Sequence, residues 1–194
     1  MNSERRVRLL VGGPRASGKS TLSTALYRNL VDRRSGLQIS LHELDVHSDT
    51  HAPLLGLKDW SERQKRWPLP QEAPPEVMEF AIDSFRYDPA DIVIGDLPGR
   101  LSNPYMPQLL QSGTHALYVG RDFADYADWQ AAFKTAGIDQ VWRAVSLMNG
   151  QSMPLSARAF DIQHIVRNLD RKLTEPVKLD GLADSIIRDM YFMG

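Results

Sequence analysis

Residues 13–21 combine the residue types and the spacing needed to hold a chain of phosphates, in the order G-x-x-x-x-G-K-S-T. Glycines let the backbone curl, so that successive N–H groups can face one anion. A lysine adds a full positive charge, and the hydroxyl after it can bind Mg²⁺. The predicted phosphate-binding residues are Gly13, Pro14, Arg15, Ala16, Ser17, Gly18, Lys19, Ser20 and Thr21.

The predicted magnesium site consists of two side chains that supply oxygen atoms as ligands. Ser20 supplies a hydroxyl at the end of the glycine motif, and Asp96 supplies a carboxylate. Asp96 follows the apolar run 92–94 and precedes the helix-breaking residues 97–99, so it should lie at the end of a buried strand. A carboxylate is a hard oxygen ligand of the kind that Mg²⁺ prefers. An aspartate that only caps the turn after the strand is the alternative.

The hydrophobic pattern predicts the elements that position these residues. Apolar, β-branched runs predict strands at 7–11, 37–44, 91–96, 114–119 and 140–147. Helical spacing predicts helices at 19–30, 76–87, 125–136 and 182–190, and residues 160–169 fit a helix or, as we favour, a strand. This alternation indicates an α/β fold of three layers around a mostly parallel sheet of five or six strands, in a single domain over 1–194. Prolines in residues 46–75 predict a long loop that acts as a mobile flap, with a short helix at 60–67.

The glycine motif resembles the Walker A motif of the P-loop NTPase superfamily, and its setting between an apolar strand and an amphipathic helix is similar too. The stretch 91–99, D-I-V-I-G-D-L-P-G, resembles the Walker B strand, which places that family's magnesium carboxylate on Asp96. The resemblance implies a bound nucleoside triphosphate, ATP or GTP, with Mg²⁺ and with Lys19 acting at the β- and γ-phosphates. A weaker resemblance to P-loop domains of CRISPR-associated accessory proteins rests on residues 12–14, 17–20, 96–99 and 168–171.

Residues 45–51, D-V-H-S-D-T-H, follow the second predicted strand and are rich in titratable groups. If the segment is extended, its alternate residues Asp45, His47, Asp49 and His51 share one side. Three interpretations stay open. In small-molecule kinases similar to this chain an aspartate at this place binds the acceptor hydroxyl or removes its proton, which makes Asp45 a candidate catalytic residue. The histidines and aspartates could instead hold a transition metal, or the segment is an ordinary polar loop.

An arginine is expected over the γ-phosphate, because phosphoryl transfer spreads negative charge over the phosphate oxygens. Arg121, which follows the fourth predicted strand, is the predicted catalytic arginine. Other candidates are Arg63 and Arg66 in the flap and Arg100 after residues 96–99. For each of them a solvated surface side chain is the alternative.

The composition excludes several classes of protein. Cysteine is absent, which excludes disulfides, cysteine nucleophiles and zinc–thiolate sites. The chain has 23 Lys and Arg against 24 Asp and Glu, so it has no overall basic field to attract nucleic acid.

No apolar run approaches the roughly 20 residues of a membrane span, and no targeting segment is evident. We therefore expect a soluble, cytoplasmic protein that binds neither membranes nor nucleic acid.

Missing motifs narrow the predicted activity. The N/T-K-x-D motif that reads guanine is absent, which favours ATP, and the early lysine of the deviant Walker A ATPases is absent too. We expect Mg²⁺-dependent transfer of the γ-phosphoryl group to a small-molecule acceptor or to water. The alternative is a nucleotide-sensing switch or assembly module that acts on a protein partner. The sequence indicates neither the acceptor nor the oligomeric state.

Overall fold

The computed structural model describes residues 6–33, 36–59, 61, 73–121, 123–147, 164–167, 177, 179 and 181–192. The strands in this part of the chain are β1 (Val7–Gly12), β2 (Ile39–Glu43), β3 (Ile92–Asp96), β4 (His115–Gly120), β5 (Val141–Leu147) and β6 (His164–Arg167). They form one sheet in the order β2-β3-β1-β4-β5-β6, and every neighbouring pair is parallel. The predicted parallel sheet is thereby confirmed.

The helices in the described residues are α1 (Lys19–Asp32), α2 (His51–Leu54), α3 (Pro75–Tyr87), α4 (Met106–Gln111), α5 (Tyr126–Thr135) and α6 (Leu182–Phe192). Helices α1 and α6 pack on one face of the sheet, and α3, α4 and α5 pack on the other. This arrangement confirms the predicted three-layer α/β fold. None of the helices in the described ranges has the length and apolar character needed to cross a membrane.

The central strand β1 is buried along its whole length because helices cover both faces of the sheet. Leu9 belongs to the core under α1, together with Leu22 of that helix, and Leu10 belongs to the opposite core with Phe85 of α3. All four side chains have 0% exposure. Each such burial contributes about 1.5–3 kcal/mol to folding. The scaffold that carries the end of β1 is therefore rigidly packed.

The strand register brings the ends of β1, β2 and β3 to one edge of the sheet. Val11 pairs with Asp96, and Asp96 pairs with Glu43 of β2. The carbonyl oxygen of Asp96 also accepts the N–H groups of Leu44 at 3.0 Å and Asp45 at 3.2 Å. Ligands of open parallel sheets bind at such carboxyl ends. The residues that follow these three strands are therefore the place to look for a site.

The structure corrects the sequence-based expectations in two places. The segment 45–51 is not extended, because the chain turns at Val46 and His47, and His51 opens helix α2. The turn is stabilised within the segment: Ser48 N donates to Asp45 O at 2.8 Å, and an aspartate favours such turns. Helix α4 was not predicted. The strand favoured for 160–169 is observed at His164–Arg167, whereas the helix expected at 60–67 lies outside the described residues.

Candidate functional site

Residues 13–18, here called the glycine loop, connect the end of β1 to the start of α1. Gly13 has a φ of 142°, Ala16 has 57° and Gly18 has 90°, so the loop repeatedly uses backbone that L-residues rarely adopt. A Cβ atom on Gly13 would lie 2.1 Å from the backbone oxygen of Val119 in β4. Only glycine fits at this position.

Gly13→Ala should destabilise the protein by at least about 2 kcal/mol, because it adds backbone strain and a collision with a backbone atom. Gly36→Ala is the matched control. Gly36 also has a positive φ, 75°, but a Cβ atom there would meet no atom within 4 Å, so its cost should be only about 1–2 kcal/mol. Urea unfolding measures both free energies, and equal losses would mean that the glycine loop has room for a side chain.

Lys19 lies in the centre of this site. Its side chain is only 8% exposed, and its Nζ donates a hydrogen bond to the carbonyl oxygen of Pro14 at 2.9 Å. Burial lowers the pKa of Lys19, the carboxylates of Asp96 and Asp45 oppose this shift, and the Arg15 guanidinium adds to it. The structure therefore brings Lys19 together with both of the carboxylates predicted for the site.

Asp96 has one carboxylate oxygen bound and one free. Its side chain is buried, and Oδ2 lies 3.2 Å from Nε2 of His51. Oδ1 is also buried but has no hydrogen-bond partner among the described residues. A buried, unpartnered carboxylate oxygen is costly unless something else satisfies it. This oxygen and the Ser20 hydroxyl at the start of α1 are both hard oxygen ligands of the kind that Mg²⁺ prefers.

Asp45 lies close enough to Lys19 and Asp96 to interact electrostatically with both. Its carboxylate accepts a hydrogen bond from the N–H of His47. Burial raises the pKa of Asp45, the neighbouring Asp96 charge raises it further, and His47 and Lys19 lower it. The carboxylate is therefore within electrostatic range of Lys19, and its role in binding an acceptor stays a prediction.

Comparisons with known proteins were made at the level of sequence and of structure. No protein-family model and no curated protein sequence matches the chain. Solved structures do match. The septum site-determining protein MinD from Pyrococcus horikoshii, solved with Mg-ADP, superposes with a TM-score of 0.61 and 17% identity, over 84% of this chain and 81% of that one. The cell division ATPase MinD from Pyrococcus furiosus gives 0.58 and 19%, over 83% of each chain.

A further match is the signal recognition particle receptor FtsY from Elizabethkingia anophelis, solved with GDP. Its TM-score is 0.55 and its identity 19%, over 100% of this chain and 66% of that one. The chain has the P-loop NTPase fold. The identities are low, so the likeness concerns the fold. It agrees with the fold that the resemblance of the sequence implies.

His51 lies beside Asp96, a position that the sequence did not predict for it. It is 6% exposed, and its Nδ1 lies 2.9 Å from Oγ1 of Thr24 in α1. Burial lowers the pKa of His51, but the hydrogen bond and charge of Asp96, with the charge of Glu43, outweigh burial and leave it raised. The sequence showed His51 only as one member of a polar cluster, since its partners are distant in the chain.

The arginines predicted to act at the γ-phosphate differ in whether the structure describes them. Arg121 is exposed directly after β4, and Arg100 is exposed after Gly99, so their action at a phosphate stays a prediction. Arg63 and Arg66 lie outside the described residues. Arg15 of the glycine loop packs against Gly99: a Cβ atom on Gly99 would lie 2.9 Å from the Cγ atom of Arg15 and 3.0 Å from its N and Cα atoms. The turn after Asp96 is therefore packed against the glycine loop.

The transition-metal interpretation of residues 45–51 finds no support. In the part of the chain that the structure describes, no group of three or more His, Cys, Asp or Glu is arranged to hold a metal ion. His51 bonds instead to Asp96 and Thr24. A magnesium ion at Ser20 and Asp96 would complete its shell with phosphate oxygens and water, which is how this cation is usually held beside nucleotides.

Proposed function

We propose that the chain binds a nucleoside triphosphate, with ATP preferred, together with Mg²⁺, and transfers the γ-phosphoryl group to a small-molecule acceptor. The observation that carries this proposal is the placement of Lys19. Its buried ammonium lies within the glycine loop and interacts with two carboxylates at neighbouring strand ends. A cation surrounded in this way is suited to phosphates that arrive with a divalent metal. The similarity to the MinD structure, which was solved with Mg-ADP, supports the pairing of a nucleotide with Mg²⁺.

Each residue of the site has a separate role in this proposal. The N–H groups of the glycine loop and the start of α1 bind the phosphates. Lys19 leaves the Pro14 carbonyl and contacts the β- and γ-phosphates. Ser20 and Asp96 hold Mg²⁺, which when bound neutralises developing charge on the phosphate oxygens. Asp45 orients the acceptor hydroxyl and accepts its proton as the new O–P bond forms.

A cavity beside Asp45 supports an acceptor that is a small molecule. It has a volume of about 260 Å³ and lies between the loop after β2 and helix α3. Leu44 and Val46, which flank Asp45, both line it, as do Ser48 and Phe80. Small-molecule sites combine apolar walls with a few polar groups in this way. The cavity is therefore the proposed acceptor site; Asp45 belongs to the same loop but is not among the residues that line the cavity.

Asp45→Asn should leave ATP affinity within about threefold and lower transfer to the acceptor by about 100-fold or more, as expected for loss of a general base. The amide oxygen can still accept the His47 N–H, so the turn should persist. Binding is measured by calorimetry, and transfer by mass spectrometry of a mixture of small hydroxylated molecules incubated with Mg-ATP. Asp139→Asn, an exposed change, is the control. Equal transfer by both variants would remove Asp45 from the reaction.

A nucleotide-dependent switch with water as acceptor is the second candidate. The packing of Gly99 against Arg15 favours it, because a change in the glycine loop would reach the turn after Asp96 directly. The likeness to a cell division ATPase supports it as well. The two candidates differ in their products. Phosphate release at the full rate of ATP consumption, without any phosphorylated small molecule, would favour the switch.

A further inference from the structure

We propose that His51 is a positioning residue for the magnesium carboxylate: its ring fixes Asp96 Oδ2 and thereby directs Oδ1 to the cation. The inference rests on the proposed function, since it concerns the magnesium site. His51 itself would touch neither the nucleotide nor the metal. It would act through Asp96, which is why its effect should appear in the dependence on Mg²⁺ and not in phosphate binding.

The orientation of the ring follows from the hydrogen bonds around it. Thr24 Oγ1 donates its proton to the carbonyl oxygen of Ser20 at 2.9 Å. The same oxygen lies 2.9 Å from His51 Nδ1, so Thr24 pairs with the ring as well as with Ser20. The other nitrogen, Nε2, faces Asp96 Oδ2 at 3.2 Å. Both ring nitrogens are therefore engaged.

These contacts connect the two predicted magnesium ligands through one imidazole. On one side the ring pairs with Thr24 Oγ1, which in turn bonds to the carbonyl oxygen of Ser20 in the first turn of α1. On the other side it reaches Asp96 at the end of β3. Because Oδ2 is held by the ring, Oδ1 is the carboxylate oxygen left without a partner among the described residues. Outer-shell partners that orient a ligand in this way commonly change metal affinity by about 10–100-fold.

The short helix α2 holds the ring in place independently of Asp96. Arg28 Nη2 donates to the carbonyl oxygen of Leu54 at 2.7 Å, which fixes the end of α2 against α1. The N–H of Thr50 donates to Glu43 Oε1 at 2.8 Å, which fixes its beginning against β2. His51 is therefore supported from two elements of the scaffold. A ring held this way can orient a carboxylate before any ligand arrives.

The test is the effect of Mg²⁺ on ADP affinity, measured by calorimetry so that no turnover is involved. For His51→Ala we expect the ratio of ADP affinities with and without Mg²⁺ to fall about tenfold, with the metal-free affinity unchanged. His42→Ala is the matched control, because His42 Nε2 forms a similar pair with Asp88 Oδ2 at 2.8 Å, away from the glycine loop. That variant should keep the wild-type ratio.

Two conservative variants separate positioning from packing. The amide nitrogen of His51→Gln can occupy the place of Nε2 and donate to Asp96, whereas that of His51→Asn can occupy only the place of Nδ1 and meet Thr24. Positioning through Asp96 predicts that glutamine restores the Mg²⁺ ratio more than asparagine does. This comparison also decides the matter if the alanine variant does not fold.

The contrary outcomes are distinct. An unchanged ratio in His51→Ala, or equal ratios in the glutamine and asparagine variants, would overturn the positioning role and leave the proposed function intact. A larger ratio would mean that His51 competes with the metal for Asp96, which also overturns it. If the wild-type protein binds ADP neither with nor without Mg²⁺, the proposed function fails and this inference fails with it.

Discussion

Lys19→Ala should weaken triphosphate binding by at least about 100-fold, because each charge-assisted hydrogen bond to a buried phosphate is worth about 1.5–3 kcal/mol. Alanine removes the cation within the glycine loop and leaves Asp45 and Asp96 facing the phosphates without a compensating charge. Electrostatic repulsion from these carboxylates adds to the loss. Calorimetry with ATP and a non-hydrolysable analogue measures the affinity.

The protein should still fold when Lys19 is replaced. Among the described residues the ammonium makes one hydrogen bond, to the Pro14 carbonyl, and its burial is itself unfavourable, as the lowered pKa of Lys19 indicates. A urea unfolding curve checks this point. Lys134→Ala, which removes an exposed lysine of α5, is the control for a general loss of positive charge. ATP affinity that is the same in both variants would end the phosphate-binding interpretation.

Asp96→Asn should abolish most of the gain in nucleotide affinity that Mg²⁺ provides. We expect a loss of about 100-fold, the upper end of the range known for outer-shell partners, because Asp96 would contact the cation or its water directly. Without Mg²⁺ the affinity should stay the same or increase, since a negative charge beside the phosphates has been removed. Calorimetry with ADP, with Mg²⁺ and with EDTA, separates the two quantities.

The environment of Asp96 makes this substitution structurally conservative. An amide has the shape of a carboxylate, and its oxygen or its N–H can bond to His51 Nε2 while the ring keeps its contact with Thr24. No buried group needs to lose its hydrogen bond. The free energy of unfolding should therefore change little. Equal losses of affinity with and without Mg²⁺ would instead make Asp96 a structural residue.

The sequence was sufficient for the features that depend on short-range pattern. The glycine loop is defined by residue types at fixed spacing, and β1, β3 and α1 by uninterrupted apolar periodicity. Asp96 could be predicted because it ends an apolar run just before a turn. For the same reason the sheet edge that carries the candidate site could be predicted before its strand order was known.

Three features could not be predicted in this way: the position of His51, the turn in residues 45–51 and helix α4. His51 becomes a site residue through Thr24, 27 positions earlier, and Asp96, 45 positions later. Residues 45–51 alternate as a strand would, but hydrogen bonds within the turn override that pattern. Helix α4 has only six residues and too few apolar positions to give a helical period.

Residues 44–51 have both of their ends attached to one amino acid. The carbonyl oxygen of Asp96 accepts the N–H groups of Leu44 and Asp45, and its carboxylate bonds to His51. Asp96 thus closes the segment into a loop, in addition to the bonds that its far end makes with Glu43 and Thr24. Since β2 is the edge strand, β3 is its one neighbour in the sheet. A displacement of Asp96 would therefore reach both ends of the loop that contains Asp45.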